Sequence, residues 1–274
     1  MPKYLFKMFT KIIYSLANKN KQPHSDIVYK MFYVSMRMAK EVRCEIELWG
    51  TSDAIQRLGG ICDNVINIDN IDYKLWDDIK IKILEQSDTP ILDGDIFLYH
   101  HPKFGNELSV DMFVKGHTNQ NALDDFNSFN PMDIIPYWDV NNTKAFGTGF
   151  ISWKNNDELK REYIESYKKL RDWYFKKESQ MVEKNEYLST KYSVISHIIC
   201  ENLMYQFASH NNMECIALPT INKYDHWHGD SKYMDSHKIR GISLLYDMIV
   251  DTNQSVEDAY RKLIANGFKP FLQY

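Results

Sequence analysis

The sequence predicts an α/β protein with a mostly parallel sheet, helices on both faces of that sheet and a C-terminal helical part. In the first half of the chain, strand-like segments take turns with helix-like segments, an order typical of a parallel sheet covered by helices. In the second half, long segments with helical spacing dominate over short strands. The length of 274 residues fits one large domain or two small ones, and we predict a single domain over residues 1–274.

The elements of the first half follow from the spacing of apolar residues. Helices are expected where apolar residues recur every three or four positions, over residues 25–41, 51–60 and 73–87. Ser25 and Asp26 are candidate caps of the first helix, and a glycine pair ends the second. Strands are expected where apolar and polar residues alternate or a short apolar run stands alone, over residues 9–17, 42–50, 64–68 and 89–99.

The second half is more mixed. Strands are expected over residues 107–116, 144–153 and 213–219, and the second of these contains two glycines. Helices are expected over residues 156–179, 191–211 and 255–266, with Gly267 just past the end of the last. Residues 119–130 form a short helix or a loop, and residues 223–250 begin as a loop and continue as a helix.

The composition says more about the cellular compartment of the protein than about its binding partners. The formal net charge is −4, so the charge balance does not demand nucleic acid or an anionic membrane. The four cysteines form no C-x-x-C pair, which is typical of reduced intracellular thiols. Lysines interrupt the apolar N-terminal stretch, and no stretch approaches the ~20 apolar residues of a membrane span. We therefore expect a cytoplasmic protein, in the host cytoplasm if its source is a virus.

Asp93 and Asp95 lie one glycine apart after the apolar run of the fourth predicted strand. Two carboxylates at such a short separation repel each other unless a positive charge lies between them. In an open α/β sheet, ligands bind outside the carboxyl ends of the strands, and Mg²⁺ or Mn²⁺ prefers carboxylate oxygens and substrate phosphates. The motif therefore indicates either a divalent-metal site for a nucleotide diphosphate or an ordinary Asp-Gly turn.

A second motif, His226-x-x-Gly229-x-x-Lys232, lies late in the chain. It offers an imidazole for a metal, a glycine for close backbone approach and an ammonium for a phosphate. The alternative is a polar surface loop, in which these residue types are common. The aromatic neighbours Tyr224 and Trp227 favour some burial instead.

Together the two motifs resemble those of GT-A-fold glycosyltransferases, most of all the family-8, glycogenin-like retaining enzymes, over roughly residues 10–232. The resemblance implies a GT-A-like (Rossmann-like) fold, with a nucleotide-binding half over about residues 1–116 and an acceptor-side half over about residues 117–274. It also implies that Asp93, Asp95 and His226 ligate Mn²⁺ or Mg²⁺. Gly229 and Lys232 would hold the diphosphate of a nucleotide-sugar donor.

Three departures from the family pattern concern the sugar and the acceptor. Tyr233-Met234 stands where the family usually has Pro-Trp, and Gly147-Thr148-Gly149 stands where it often has Asn-x-Gly. Glu201-Asn202 stands where the family often has Asp-Gln. The resemblance therefore leaves the sugar, the acceptor and the stereochemical outcome open.

Other polar residues are candidates for the same site. Asn202, with Glu201 beside it, would position the sugar if the resemblance holds. Asp125 would bind sugar or acceptor hydroxyls, or else begin a helix or turn. Lys80 lies one helix before the aspartates and would reach the phosphates or the ribose, whereas a solvated lysine on a helix face is the more common arrangement.

Two further pairs of residues have both a functional and a structural interpretation. Thr148 and Gly149 would bring the backbone close to a sugar, or they mark a β-bulge. Tyr137 and Trp138 would form a stacking platform for an acceptor ring, or they belong to the core.

The sequence thus predicts a metal-dependent glycosyltransferase that moves a sugar from a nucleotide-diphosphate sugar, with a UDP-sugar favoured, to an unidentified acceptor with retention. A glycan, a protein and a modified DNA base all fit as the acceptor. One alternative is a non-catalytic protein of the same fold that binds a nucleotide or a glycan. The other is a D-x-D phosphohydrolase of the haloacid-dehalogenase kind, whose motif usually ends the first strand. The oligomeric state stays open.

Overall fold

The structure is a computed structural model that describes residues 10–17, 24–98, 102, 104–114, 119–217, 224–226 and 236–267, with the backbone alone for 224–226 and 236–239. The chain divides into two compact units, each discontinuous in sequence. Unit 1 comprises Met1–Ile71, Pro90–Lys103 and Asn222–Tyr274, and unit 2 comprises Asp72–Thr89 and Phe104–Ile221. The predicted boundary between two halves near residue 116 stays a prediction.

Unit 1 contains four parallel strands, which lie in the sheet in the order β3 (Asn64–Asn67), β2 (Cys44–Gly50), β1 (Thr10–Leu16) and β4 (Ile91–Leu92). The two longest pair over seven residues, from Thr10 opposite Cys44 to Leu16 opposite Gly50. Parallel strands end at a common edge, so the segments that follow them lie on the side where α/β proteins bind ligands. The elements are β1 Thr10–Leu16, α1 Asp26–Glu41, β2 Cys44–Gly50, α2 Ser52–Leu58, β3 Asn64–Asn67 and β4 Ile91–Leu92.

The rest of unit 1 is a two-stranded antiparallel pair and two C-terminal helices. β5 Ile96–Leu98 pairs with β9 Tyr224–His226. The helices α8 Ser236–Thr252 and α9 Val256–Ala265 pack on α1 because each presents an apolar face to it. That interface is a buried cluster that includes Met31, Val34, Met38, Ile242, Leu245, Ile249, Tyr260 and Leu263.

Unit 2 is built on three strands, β6 (Leu108–Val114), β7 (Ala145–Trp153) and β8 (Cys215–Ala217), of which β6 is the middle one. β7 is antiparallel to β6, and β8 is parallel to it. The 28-residue helix α5 buries one face of aromatic residues, among them Tyr163, Tyr167 and Tyr174. The elements are α3 Asp77–Gln86, β6 Leu108–Val114, α4 Gln120–Asn127, β7 Ala145–Trp153, α5 Asp157–Lys184, α6 Ser193–His197, α7 Leu203–His210 and β8 Cys215–Ala217.

The predicted α/β class with a mostly parallel sheet is confirmed, as is the C-terminal helical part. Two predicted elements are divided in the structure. The strand expected over residues 89–99 is β4 and β5 with the Asp93–Asp95 segment between them. The helix expected over residues 191–211 is α6 and α7 joined by a π-helical segment, Ile198–Asn202. Within the described part of the chain, no helix combines the length and apolar character needed to cross a membrane.

Candidate active site

The two aspartates of the D-x-D motif occupy a turn at the carboxyl end of β4. The amide of Ile96 donates to the carbonyl of Asp93 at 3.2 Å, which closes a four-residue turn. Both carboxylates are half-buried. The turn and the ligand-site interpretations of this motif are therefore compatible, because the turn presents both aspartates where parallel strands end.

Gly94 is required by packing. A Cβ at this position would lie 2.1 Å from Cδ2 and 2.2 Å from Cγ of Phe32. The ring of Phe32 on α1 occupies the space that a side chain would need, so packing alone explains why residue 94 is a glycine. The contact fixes the turn against α1.

A buried hydrogen-bond chain fixes the start of β5 directly after the turn. The hydroxyl of Ser35 donates to the carbonyl of Ile96. The Tyr14 hydroxyl lies 3.1 Å from Ser35 Oγ, and it must be the donor because Ser35 has only one hydroxyl hydrogen. Burial raises the pKa of Tyr14, so this hydroxyl stays protonated. Residues of β1 and α1 thus hold the backbone beside Asp95.

The backbone of the late motif meets the D-x-D segment through strand pairing. In the antiparallel pair, Ile96 is opposite His226, Phe97 is opposite Asp225 and Leu98 is opposite Tyr224. Residues directly opposite in such pairs have Cα atoms about 4.5–5.5 Å apart. The first residue of the predicted His226-x-x-Gly229-x-x-Lys232 motif therefore lies next to the residue that follows Asp95. Gly229 and Lys232 lie outside the described residues.

The donor atoms at this turn fit a hard divalent cation. Asp93 and Asp95 supply carboxylate oxygens, and Mg²⁺ is commonly bound by one or two carboxylates with substrate phosphates and water completing the shell. Among the described side chains, no group of three or more His, Cys, Asp or Glu residues is arranged to hold a metal. The imidazole of His226, the third predicted ligand, is outside that description.

Lys80 is buried, contrary to the expectation of a solvated lysine. It is 6% exposed, its ammonium donates to the carbonyl of Thr148 at 2.9 Å, and Asp77 Oδ1 lies 3.9 Å away. The first turn of α3 is thereby connected to β7. The predicted contact with phosphate or ribose stays a prediction.

Thr148 lies at a bulge in β7. Val110 pairs with Ile151 but Met112 pairs with Gly147, so residues 148–150 stand opposite Asp111 alone. The predicted bulge is therefore confirmed. Thr148 donates its amide to Glu201 Oε1 at 3.5 Å, and its hydroxyl accepts from the Cys200 thiol at 3.9 Å.

Asn202 ends the π-helical segment and is fully buried. Its Nδ2 donates to the carbonyl of Lys144 at 3.0 Å. No donor among the described residues reaches its Oδ1. Glu201 and Asn202 are thus adjacent at the end of a π-helical turn, a feature that is frequent at functional sites.

Asp125 has structural partners in unit 2. Its carboxylate accepts from Asn185 Nδ2 at 2.9 Å and lies 3.2 Å from the Lys184 ammonium. These contacts connect α4 to the end of α5 and account for the residue without a ligand. Trp138, the other half of the proposed aromatic platform with Tyr137, is 2% exposed and belongs to the core.

Sequence reasoning missed three buried acids in unit 2, Asp77 beside Lys80, Asp78 and Asp111. Asp78 accepts from the Lys74 and Leu75 amides at 2.9 and 3.0 Å, and from Arg171 Nη1 at 2.9 Å. Asp111 is fully buried beside Gly147, where a Cβ would lie 2.9 Å from Asp111 Oδ2. Asp111 carried a readable signal, because it is the only charged residue between Leu108 and Val114 in a strand-like segment.

Comparisons with known proteins give a weak structural likeness. No family model matches the chain, and no curated protein matches it. Among solved structures, it is similar to the galactosyltransferase LgtC in complex with donor and acceptor sugar analogs, at 11% identity and a TM-score of 0.36, over 85% of this chain and 95% of that one. An active-site glutamine-to-glutamate mutant of LgtC matches at 9% identity and a TM-score of 0.35, over the same shares of the two chains. A likeness at this level does not establish a family or a function.

Proposed function

We propose that the protein is a metal-dependent glycosyltransferase that moves a sugar from a nucleotide-diphosphate sugar, with a UDP-sugar favoured, to an acceptor that is a glycan, a protein or a modified DNA base. The observation that carries the proposal is the pairing of β5 with β9. It brings the backbone of His226 beside the Asp93–Asp95 turn, although His226 lies 130 positions after Ile96 in the chain.

The divalent cation, Mn²⁺ or Mg²⁺, would supply charge neutralisation for the leaving diphosphate. Asp93 and Asp95 would hold it from the turn at the end of β4, with His226 from β9. The glycine and the ammonium of Gly229 and Lys232 would bind the diphosphate oxygens. These roles follow from the motif resemblance and from the chemistry of the side chains.

With retention, the acceptor attacks from the face on which the diphosphate departs. The bond between the anomeric carbon and the diphosphate oxygen breaks, the acceptor oxygen bonds to that carbon, and the acceptor proton passes to the departing diphosphate. No strong protein base is needed, so Glu201 and Asn202 would orient the sugar hydroxyls. The buried amide of Asn202 and the half-buried carboxylate of Glu201 suit that task because packing and hydrogen bonds restrict their geometry.

The test is thermal unfolding with a panel of nucleoside diphosphates, each with and without Mn²⁺. A nucleotide at a hundred times its Kd stabilises the folded state by about 2.7 kcal/mol. We expect a metal-dependent shift with UDP that is lost in Asp93→Asn and Asp95→Asn. The control is Asp251→Asn, an exposed acid on α8 of the same unit, which should keep the shift. Hydrolysis of a UDP-sugar, followed in the same variants, should show the same dependence.

Any other outcome would favour one of the two alternative functions or overturn the proposal. Stabilisation by a nucleotide without hydrolysis or transfer would favour the non-catalytic binder of the same fold. Release of phosphate from a generic phosphomonoester without nucleotide stabilisation would favour the phosphohydrolase. No shift with any nucleotide would leave Asp93 and Asp95 as a turn and overturn the proposal.

A further inference from the structure

We propose that Lys80 is a positioning residue, which holds the bulge of β7 through the carbonyl of Thr148 and thereby sets the position of Glu201. The role of Glu201 in sugar transfer rests on the function proposed above. The contact between Lys80 and the bulge lies entirely within unit 2. This positioning role differs from the predicted role of Lys80 as a direct ligand of the donor.

The placement of Lys80 is specific because its charge is buried. An ammonium that leaves water must recover its lost hydration from other polar groups. Here the carbonyl of Thr148 accepts from it at 2.9 Å, and the carboxylate of Asp77 lies 3.9 Å away. A hydrogen bond from an ionised donor is stronger than one between neutral groups. The contact therefore constrains both α3 and the backbone at Thr148.

The bulge explains why the backbone of Thr148 is available to side chains. The extra residues of a bulged strand lose their regular ladder partners, and here three residues of β7 face one of β6. Thr148 is 3% exposed, so its polar groups need other partners. They find three, the Lys80 ammonium at the carbonyl, Glu201 at the amide and Cys200 at the hydroxyl.

A cation and an anion therefore bind the same residue from different elements. The Lys80 ammonium comes from α3, and the Glu201 carboxylate comes from the π-helical segment. If the ammonium is removed, the Thr148 carbonyl loses its charged donor and the bulge can relax. The amide that donates to Glu201 then moves as well. Lys80 would therefore affect the step in which Glu201 orients the sugar, and not the binding of the diphosphate.

The first experiment is amide hydrogen exchange over β7, read by mass spectrometry in variants of Lys80. Lys80→Met removes the donor, Lys80→Gln keeps an N–H group without the charge, and Lys80→Arg keeps both. The matched control is Lys82→Met, since Lys82 is on the same helix but is paired with Glu85 near the surface. We expect exchange around Thr148 to be about tenfold faster in Lys80→Met, as loss of a hydrogen bond to a charged group implies. Lys82→Met and Lys80→Arg should match the wild type.

The second experiment separates positioning from direct donor binding. In Lys80→Met, kcat for sugar transfer should fall by about tenfold or more while the Kd of the nucleoside diphosphate changes by less than about threefold, as expected for a group that acts mainly beyond ground-state binding. Lys80→Arg should restore most of kcat. A weaker Kd with an unchanged kcat would mean that Lys80 binds the donor directly and would overturn the proposal.

The two experiments can fail separately. If Lys80→Met does not fold, Lys80→Gln, which perturbs the site less, is compared with the wild type and with Lys82→Met instead. Unchanged exchange over β7 in both variants would show that Lys80 does not hold the bulge, whatever the enzyme does. A wild-type protein that neither binds nor turns over any nucleotide sugar would refute the proposed function, and the exchange data would still decide the role of Lys80 at Thr148.

Discussion

Gly94, between the two aspartates of the D-x-D turn, lies directly against the ring of Phe32. A Cβ at residue 94 would come within 2.1–2.3 Å of three ring carbons, well inside van der Waals contact. Phe32 is 6% exposed and belongs to the buried face of α1, so the ring has little room to move away. The geometry of the candidate metal site is thus coupled to the packing of α1.

We therefore expect Gly94→Ala to destabilise the protein by about 2 kcal/mol, a typical cost of overpacking a well-packed core. Chemical denaturation gives the free energy of unfolding. The matched control is Gly60→Ala, because a Cβ there would meet no atom within 4 Å. The control should stay within about 0.5 kcal/mol of the wild type. Equal effects of the two substitutions would mean that Phe32 does not restrict residue 94.

The hydrogen-bond chain from Tyr14 to Ile96 makes a second prediction. Tyr14→Phe should cost about 1 kcal/mol of unfolding free energy, because Ser35 Oγ loses its buried donor. Tyr187→Phe, a change at a ring that is 46% exposed, should have no measurable effect. Burial raises the pKa of Tyr14, so its hydroxyl is protonated at both pH 6 and pH 8. The unfolding free energy lost in Tyr14→Phe should therefore be the same at both pH values. If Tyr14→Phe is as stable as the wild type at both pH values, the hydrogen-bond chain does not stabilise the folded protein.

The fold was largely predictable because its periodic segments are long. The buried faces of α1 and α5 repeat every three or four residues, and β1 and β2 are strand-like over their full length. The division of residues 89–99 into β4 and β5 was not predictable. It depends on the partners of each part, β1 for Ile91 and β9 for Ile96, and local patterns carry no such information.

The site was predictable only where it is local in sequence. The Asp93–Asp95 turn follows from its own residues, but the burial of Lys80 does not. On a helical pattern, Lys80 looks no different from Lys82, which is 44% exposed at its side chain. The difference comes from the carbonyl of Thr148, which is 68 residues away in the chain and is available because of a bulge. A long-range partner of this kind cannot be read from spacing.

Arg171 provides an internal comparison for a third prediction, since it contacts one buried and one exposed carboxylate. Its guanidinium reaches Asp78 at 2.9 Å and Asp172 at 2.9 Å, and the Asp78 side chain is 6% exposed whereas that of Asp172 is 61% exposed. Asp78→Asn should cost about 3 kcal/mol, because the arginine and two backbone amides lose a charged acceptor. Asp172→Asn should change the unfolding free energy by less than about 0.5 kcal/mol. Similar costs for both would contradict the inferred importance of burial.

His197 supplies a fourth prediction, which tests whether the buried Lys80 ammonium lies close to the His197 imidazole. Burial, together with the smaller effect of the nearby Lys80 ammonium, lowers the pKa of His197 to about 4. The folded pKa lies below the ordinary value of 6.5, so the unfolded chain binds more protons between these two values. The stability that neutral His197 contributes is therefore fully present above pH 6.5 and is lost as the pH falls towards 4.

Removal of the Lys80 charge should raise the pKa of His197 in the folded protein, because one of the two causes of its low value disappears. A histidine-proton NMR titration of Lys80→Met measures this directly, and His197→Gln identifies the resonance. Lys82→Met is the matched control and should leave the His197 titration unchanged, since that ammonium is paired with Glu85 at 3.0 Å. The acid-induced loss of stability between pH 6.5 and 4 should become smaller in Lys80→Met than in Lys82→Met. An unmoved His197 titration would mean that the Lys80 ammonium does not lie where its contact with Thr148 requires.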